Sequence, residues 1–327
     1  MKMKRYAYVF FVVFIIIIGW YFFGDSINAK KAYISNSENK YNKEITEIEK
    51  NDSQDKELAN GDIGQKDNQK DGMGFEFEDT SRFLEGFDGN FALEETGKND
   101  ASSNQSWWVN SGAFLYVNNG TGKTIFGELE KGSAWQEKYK EYNSGETDTG
   151  YHPQNIFRLV TRSKWKNFNQ ECYYKISRYI LSKAKERSES NGILLFNRYQ
   201  DGDNLYYTGL RVDGTVVVKK KCKGKYYTMA QNQFYAGKYN RKKMPNLLPI
   251  NKWIGVRSEV IDLPNGGVSI KVYVDNGRTG NWKLVLTAKD NGKSFGGAAI
   301  RNEGYAGIRT DFMDVEFDDY KIEEFNQ

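Results

Sequence analysis

From residue 75 to its end, this chain of 327 residues is a succession of short aromatic and β-branched runs parted by turn sequences. That succession limits its fold more than anything else. Strand-like runs lie at residues 87–94, 107–117, 124–129, 155–161, 171–181, 193–199, 205–212, 215–221, 226–229, 253–261, 268–274, 282–288, 305–309 and 315–322. The links are Gly, Asn and Asp clusters such as "QDGDN", "DG", "KG" and "LPNGG", which favour tight reversals. No amphipathic helix of ordinary length is expected after residue 75, and residues 183–190 read as a charged loop or short helix. Many antiparallel strands need two packed sheets or a closed barrel to bury their apolar faces.

The N-terminal part differs. Lys2, Lys4 and Arg5 precede an uncharged run from residue 6 to 23, "YAYVFFVVFIIIIGWYFF", long enough to be a membrane-helix candidate. A cleaved signal would end in a small-x-small site, and the candidate ends at Phe23-Gly24 and Asn28-Ala29 fit poorly. The expectation is therefore a signal anchor over residues 1–24, with the remainder outside the cytoplasm. Residues 25–74 mix both charge signs without an apolar period and read as a disordered polar linker. Residues 75–327 form the folded domain. Its net charge is small: 47 basic against 43 acidic residues give +4 for the chain, so no field spans the protein to hold nucleic acid. Cys172 and Cys222 stand in different predicted strands and can pair only if those strands are neighbours.

The run "GILLFNRYQDGDNLYYTGLRVDGTVVVKKKCKGKYY" (192–227), then "NKWIGVRSEV", "VSIKVYVDNG" and "GYAGIRTDFMDVEFDDYKI" (304–322), resembles the concanavalin A-like lectin/glucanase superfamily. Within it, the laminin-G-like and 3-keto-disaccharide-hydrolase-like domains of bacterial secreted proteins are most similar. The resemblance covers about residues 75–325 and implies an all-β fold, a two-sheet antiparallel jelly-roll sandwich. It does not imply one activity, because that sandwich carries lectins, hydrolases, lyases and adhesion modules. It also implies that acids at the domain ends support the fold, sometimes through a structural Ca²⁺, with Asp318 in "VEFDDY" as the ligand to test.

The hairpin "NLYYTGLRVDGTVVVKKK" (204–221) bears most directly on function. A two-residue turn at Asp213-Gly214 pairs Val212 with Thr215, Arg211 with Val216, Gly209 with Val218 and Tyr207 with Lys220. With side chains alternating, one face then gathers Arg198, Tyr207, Arg211 and Lys220 around the side-chain-free Gly209. Planar donors beside aromatic rings suit sugars, and the basic tint suits uronate or sulfate groups. Trp253, which starts a later strand, joins these as a stacking candidate. The competing reading is a ladder of Tyr–Lys pairs that keeps a sheet soluble.

Catalytic signatures are thin. The glucanases of this fold carry alternating acids in the form Glu-x-Asp-x-x-Glu, and no such run exists here. "RSEV" (257–260) and "FYAGKYN" (234–240) look like two alginate-lyase motifs, but in the opposite order and without the Gln-x-His element. A β-elimination would then need a Tyr or Lys of lowered pKa as its base. His152 reads as a loop residue, "NNGTGKT" (118–124) as a hairpin, and "KYNRKKMPNLLP" (238–249) as a solvated basic loop that could rim the groove. The expected function is membrane-anchored, extracytoplasmic recognition of a glycan, with a glycan-cleaving enzyme or a protein-adhesion module as alternatives.

Overall fold

The computed structural model describes residues 82–325; the expected anchor, the linker and the acids of "FEFED" (75–79) lie outside them. Among the described residues no helix is long and apolar enough to cross a membrane.

Among the described residues, sixteen strands form two antiparallel sheets. The nine-stranded sheet runs in the order β14 (Lys283–Asp290), β13 (Val268–Asn276), β12 (Trp253–Asp262), β7 (Phe168–Tyr179), β16 (Met313–Glu324), β5 (Thr121–Lys123), β4 (Phe114–Asn118) and β2 (Asn90–Glu94), with β1 (Arg82–Glu85) also pairing with β16. The seven-stranded sheet runs β11 (Lys225–Gln233), β10 (Thr215–Cys222), β9 (Asn204–Arg211), β8 (Gly192–Asp201), β15 (Gly304–Thr310), β6 (Phe157–Trp165) and β3 (Trp107–Ser111). This is the jelly-roll sandwich expected from the concanavalin A-like resemblance.

Alternation places one set of side chains between the sheets. Leu195, Tyr206, Leu210, Val216, Val218 and Ile308 from one sheet meet Tyr174, Ile176, Val256, Ile270, Val272 and Phe317 from the other. Phe157 stacks on Phe317 at 5.4 Å between ring centroids. Burying apolar surface at about 25 cal/mol per Å² is what holds the layers together. A polar latch crosses the same space: Asn197 Nδ2 donates to Thr208 Oγ1 (3.0 Å), while Ser258 Oγ (2.8 Å) and Gln170 Nε2 (2.8 Å) donate to Asn197 Oδ1. Satisfied buried polar groups of this kind fix one alignment of the two sheets.

The structure corrects one fold expectation. Residues Ala134–Tyr142 form an α-helix, α1. Ser133 caps it by accepting from Gln136 N, and the Gln136 side chain accepts from Gly132 N (2.9 Å). Tyr139 is buried on its inner side, with its hydroxyl on the Glu95 carboxylate. Residues 183–190 form a loop, and "NNGTGKT" is the β4–β5 hairpin.

Cys172 is buried in β7 and Cys222 lies in β10, on different sheets, and both are free thiols. The condition for a disulfide between them is therefore not met.

Candidate functional site

The hairpin register decides which side chains can meet a ligand. Val216 pairs with Leu210, Val217 with Gly209, Val218 with Thr208, Lys219 with Tyr207 and Lys220 with Tyr206. The turn is thus one residue longer than Asp213-Gly214 alone: Val212, Asp213 and Gly214 form it, Gly214 at φ +78°. Asp213 Oδ1 accepts from Thr215 N, and Gly214 O accepts from Phe234 N and Tyr235 N. Three-residue loops with a left-handed final residue are a regular hairpin class. The added residue turns every side chain of β10 to the other face relative to the two-residue expectation.

Four of the six expected site residues change meaning as a result. Lys220 points into the core with no exposed surface. Its Nζ lies 2.8 Å from Asp290 Oδ2 and donates to the carbonyls of Gly297 (2.9 Å) and Ala298 (2.7 Å). Arg198 is also fully buried, because a bulge between Asn197 and Asp201 puts it at φ +50° and turns it inward. There it donates to Lys166 O, Ile300 O, Asn167 Oδ1 and, at 2.7 Å, to Asp262 Oδ1. Neither cation can touch a bound molecule, so both are structural rather than groove residues. Trp253 lies on the other sheet, where Lys175 Nζ (5.1 Å) and Arg278 Cζ (5.0 Å) lie over its ring. It is not brought to the hairpin.

Asp318 pairs with Arg278 (2.7 Å), which also binds Asp319 (2.6 Å), so a guanidinium stands where a cation was expected. Among the described residues no group of three or more His, Cys, Asp or Glu is placed to hold a metal ion. The described residues around Asp318 do not fit a Ca²⁺ site.

Tyr207 and Arg211 do lie on the face of the seven-stranded sheet turned away from the core. Arg211 is buried at the strand end, held by Glu189 O (3.0 Å) and Asp213 Oδ2 (2.8 Å). Tyr207 sits in the middle of the face in an aromatic cluster with Trp108, Phe196, Tyr199 and Tyr305. Adjacent pairs place Arg158 beside Arg309, Gly307 beside Phe196, Phe196 beside Tyr207, Tyr207 beside Lys219 and Lys221 beside Tyr226.

The centre of this face is a Tyr–Tyr–Arg group. Tyr226, half exposed, stacks on Tyr207 at 5.9 Å and 23°. Arg309 donates from Nη1 to the Tyr207 hydroxyl (2.8 Å) and from Nε to Asp311 (2.9 Å). Gly209 (φ +148°) and Gly307 (φ +150°) are floor positions; a Cβ there would meet Ile193 O at 2.3 Å or Leu159 O at 2.2 Å. Only glycine fits, because the backbone of the neighbouring strand occupies the space a side chain would need.

The electrostatics follow from burial next to positive charge. Burial raises the Tyr207 pKa to about 12 despite Arg309. Burial also opposes ionisation of Tyr226, but Arg309, the hydrogen bond with Tyr207 and Lys221 together hold its pKa below the ordinary tyrosine value. Burial, then Arg211 and Arg309, pull Lys219 below the ordinary lysine value. Lys219 and Arg158 form no ion pair among the described residues. Perturbed groups gathered on one face mark a candidate site on physical grounds.

Arg158, Lys219, Tyr226 and Arg309 were not anticipated from sequence. "VVVKKK" (216–221) reads identically in either register, and only the turn length distinguishes Lys219 from Lys220. His152 is a loop residue, its Nδ1 3.0 Å from Asp148, away from this face.

No family model matches the chain, and no curated protein matches it significantly. Among solved structures it is similar to the carbohydrate-binding module CBM66 from Bacillus subtilis, at 15% identity and a TM-score of 0.36, covering 52% of this chain and 82% of that one. It is also similar to a prokaryotic β-1,3-1,4-glucanase (lichenase) from a mouse hindgut metagenome (10% identity, TM-score 0.38, 75% of this chain and 99% of that one). A third is the exoplasmic/lumenal domain of VIP36 in a Ca²⁺/Man-bound form (10% identity, TM-score 0.38, 76% and 92%). Likeness this distant assigns neither activity nor ligand.

Proposed function

We propose that the outer face of the seven-stranded sheet binds an acidic glycan, in a domain held at the outside of a cell membrane by the apolar N-terminal segment. One observation carries the reading. The stacked Tyr207–Tyr226 pair lies beside Arg309, Lys219 and Arg158, and among the described residues no Asp or Glu occupies an outward position of the strands between them. Tyrosine rings supply stacking surface for the C–H patches of a sugar, and the cations supply donors for carboxylate or sulfate. Among the described residues the outward positions of these strands offer no pair of carboxylates of the kind a hydrolase uses, which favours binding over hydrolysis here.

The test is titration calorimetry of the full chain in detergent with neutral, uronate-containing and sulfated oligosaccharides. Binding confined to the acidic sugars, weakening as salt rises, is expected. Equal binding of neutral sugars, or none of any kind, overturns the reading.

A second reading has its own observation. The lowered pKa of Tyr226 suits a base that removes the proton α to a uronate carboxylate. The C–H pair then forms the C4–C5 double bond, the C4–O bond breaks, and the leaving oxygen takes a proton from water. Unsaturated ends formed by the wild type and absent with Tyr226→Phe would establish that reaction.

A further inference from the structure

The end of the sandwich where β8 begins carries a separate charged surface built from two fastened loops. Arg241 donates to Lys183 O and Ala184 O, and Arg187 returns a bond from Nη1 to Arg241 O (3.1 Å). Asn240 and Met244 bridge through two backbone bonds of 2.9 Å, and Asn240 Oδ1 accepts from Lys242 N (3.0 Å) and Lys243 N (2.9 Å). Both arginines are thus occupied in holding loop to loop. Lys183, Lys238, Lys242 and Lys243 are exposed and form no ion pair among the described residues. Lys185 is almost wholly exposed, with only Glu186 near it at 3.6 Å. Two large apolar side chains on the same loops also face water: Leu181, 66% exposed, and Met244, 49% exposed.

We infer that the paired loops 181–187 and 238–244 are a docking surface for an anionic lipid bilayer. Charge alone would suit any polyanion. The exposed Leu181 and Met244 select the bilayer, because a dissolved polyanion offers them no apolar partner, whereas the boundary between headgroups and acyl chains does. Lysines flanking apolar tips can bury their stems and keep their ammonium groups among phosphates. The chain outside the described residues agrees: an uncharged run at residues 6–23 is of membrane-spanning length. The loops are pinned by hydrogen bonds, so docking costs little ordering. The inference is independent of the glycan reading, since it concerns other residues and another ligand.

The test is amide hydrogen exchange of the full chain with nanodiscs of pure phosphatidylcholine or of equal parts phosphatidylcholine and phosphatidylglycerol. Residues 181–187 and 238–244 are expected to exchange several-fold more slowly with the anionic discs only, while β12 is unchanged. A Lys183→Gln, Lys185→Gln, Lys242→Gln, Lys243→Gln variant and a Leu181→Ser, Met244→Ser variant should each lose that slowing. Equal exchange with both lipids overturns the inference. So does equal slowing by dissolved polyphosphate that survives the Leu181→Ser, Met244→Ser change, which would assign the surface to a soluble polyanion.

Discussion

On the outer face of the nine-stranded sheet, cations and carboxylates pair off. Lys175 meets Glu316 (2.5 Å), Arg257 meets Glu171 (2.5 Å), Lys271 meets Glu259 (2.6 Å), and Arg278 meets Asp318 and Asp319. The guanidinium of Arg257 also covers the Trp282 ring at 4.3 Å. On the outer face of the seven-stranded sheet that neutralisation is incomplete: Lys221 meets Asp203 of the β8–β9 loop (3.4 Å). Arg309 and Arg211 have carboxylates only at the strand ends, and Lys219 and Arg158 have none among the described residues. Tyr and Trp beside Arg and Lys therefore do not by themselves make a binding face. What matters is whether the acids that would satisfy the cations come from the protein or are left for a ligand to supply.

The largest effect should come from beneath the charged face. Lys220→Ala leaves Asp290 buried without its cation and frees the carbonyls of Gly297 and Ala298, at a cost of about 3–5 kcal/mol. Lys175→Ala on the opposite face should cost about 0–1 kcal/mol, as partly exposed pairs do. Denaturant unfolding measures both, and similar losses would dissolve the distinction between a core lysine and a face lysine.

Next in size is the effect on binding. Charged hydrogen bonds contribute about 1.5–3 kcal/mol, so removing Lys219 and Arg158 together should weaken an acidic oligosaccharide at least about tenfold with little change in melting temperature. Arg257→Ala should leave binding unchanged. If Arg257→Ala weakened it as much, the ligand would lie on the wrong sheet.

The two faces should also differ toward pH. Burial works against the Asp275 carboxylate, but bonds from Thr279, Tyr173 and Gly280 hold its pKa below the ordinary value. Its contribution is present above the unfolded pKa of about 3.9 and is lost as pH falls through the lower folded value. Asp275→Asn should therefore flatten the acid limb of the stability curve, and an unchanged limb would remove Asp275 from the account.

The smallest signal is spectroscopic. In an alkaline ultraviolet titration one tyrosine should ionise ahead of the others and vanish with Tyr226→Phe. Persistence of that early step would move the perturbed hydroxyl elsewhere.

The layers were legible because aromatic and β-branched runs between turn sequences leave few alternatives to a sandwich. The helix was hidden because it is nine residues long with only Gln136 and Tyr139 buried, too short for its period to stand out. Its one clear signal is Ser133 three residues before Gln136, the spacing of a capping box. The site was partly legible: Tyr207 and Arg211 are on the expected face, whereas Arg198 left it through a bulge that no turn residue announces. Arg309 and Arg158 come from strands far apart in sequence, and only sheet order brings them to Tyr207.

The turn at Val212–Gly214 works as a reading frame for β10. Deleting Asp213 would leave the composition of that strand intact yet exchange its two faces. Val216, Val218 and Lys220 would be presented to solvent, and Lys219 and Lys221 would be driven inward. An insertion or deletion at this loop, harmless by the usual tolerance of hairpin tips, would rewrite the surface without altering a single surface residue.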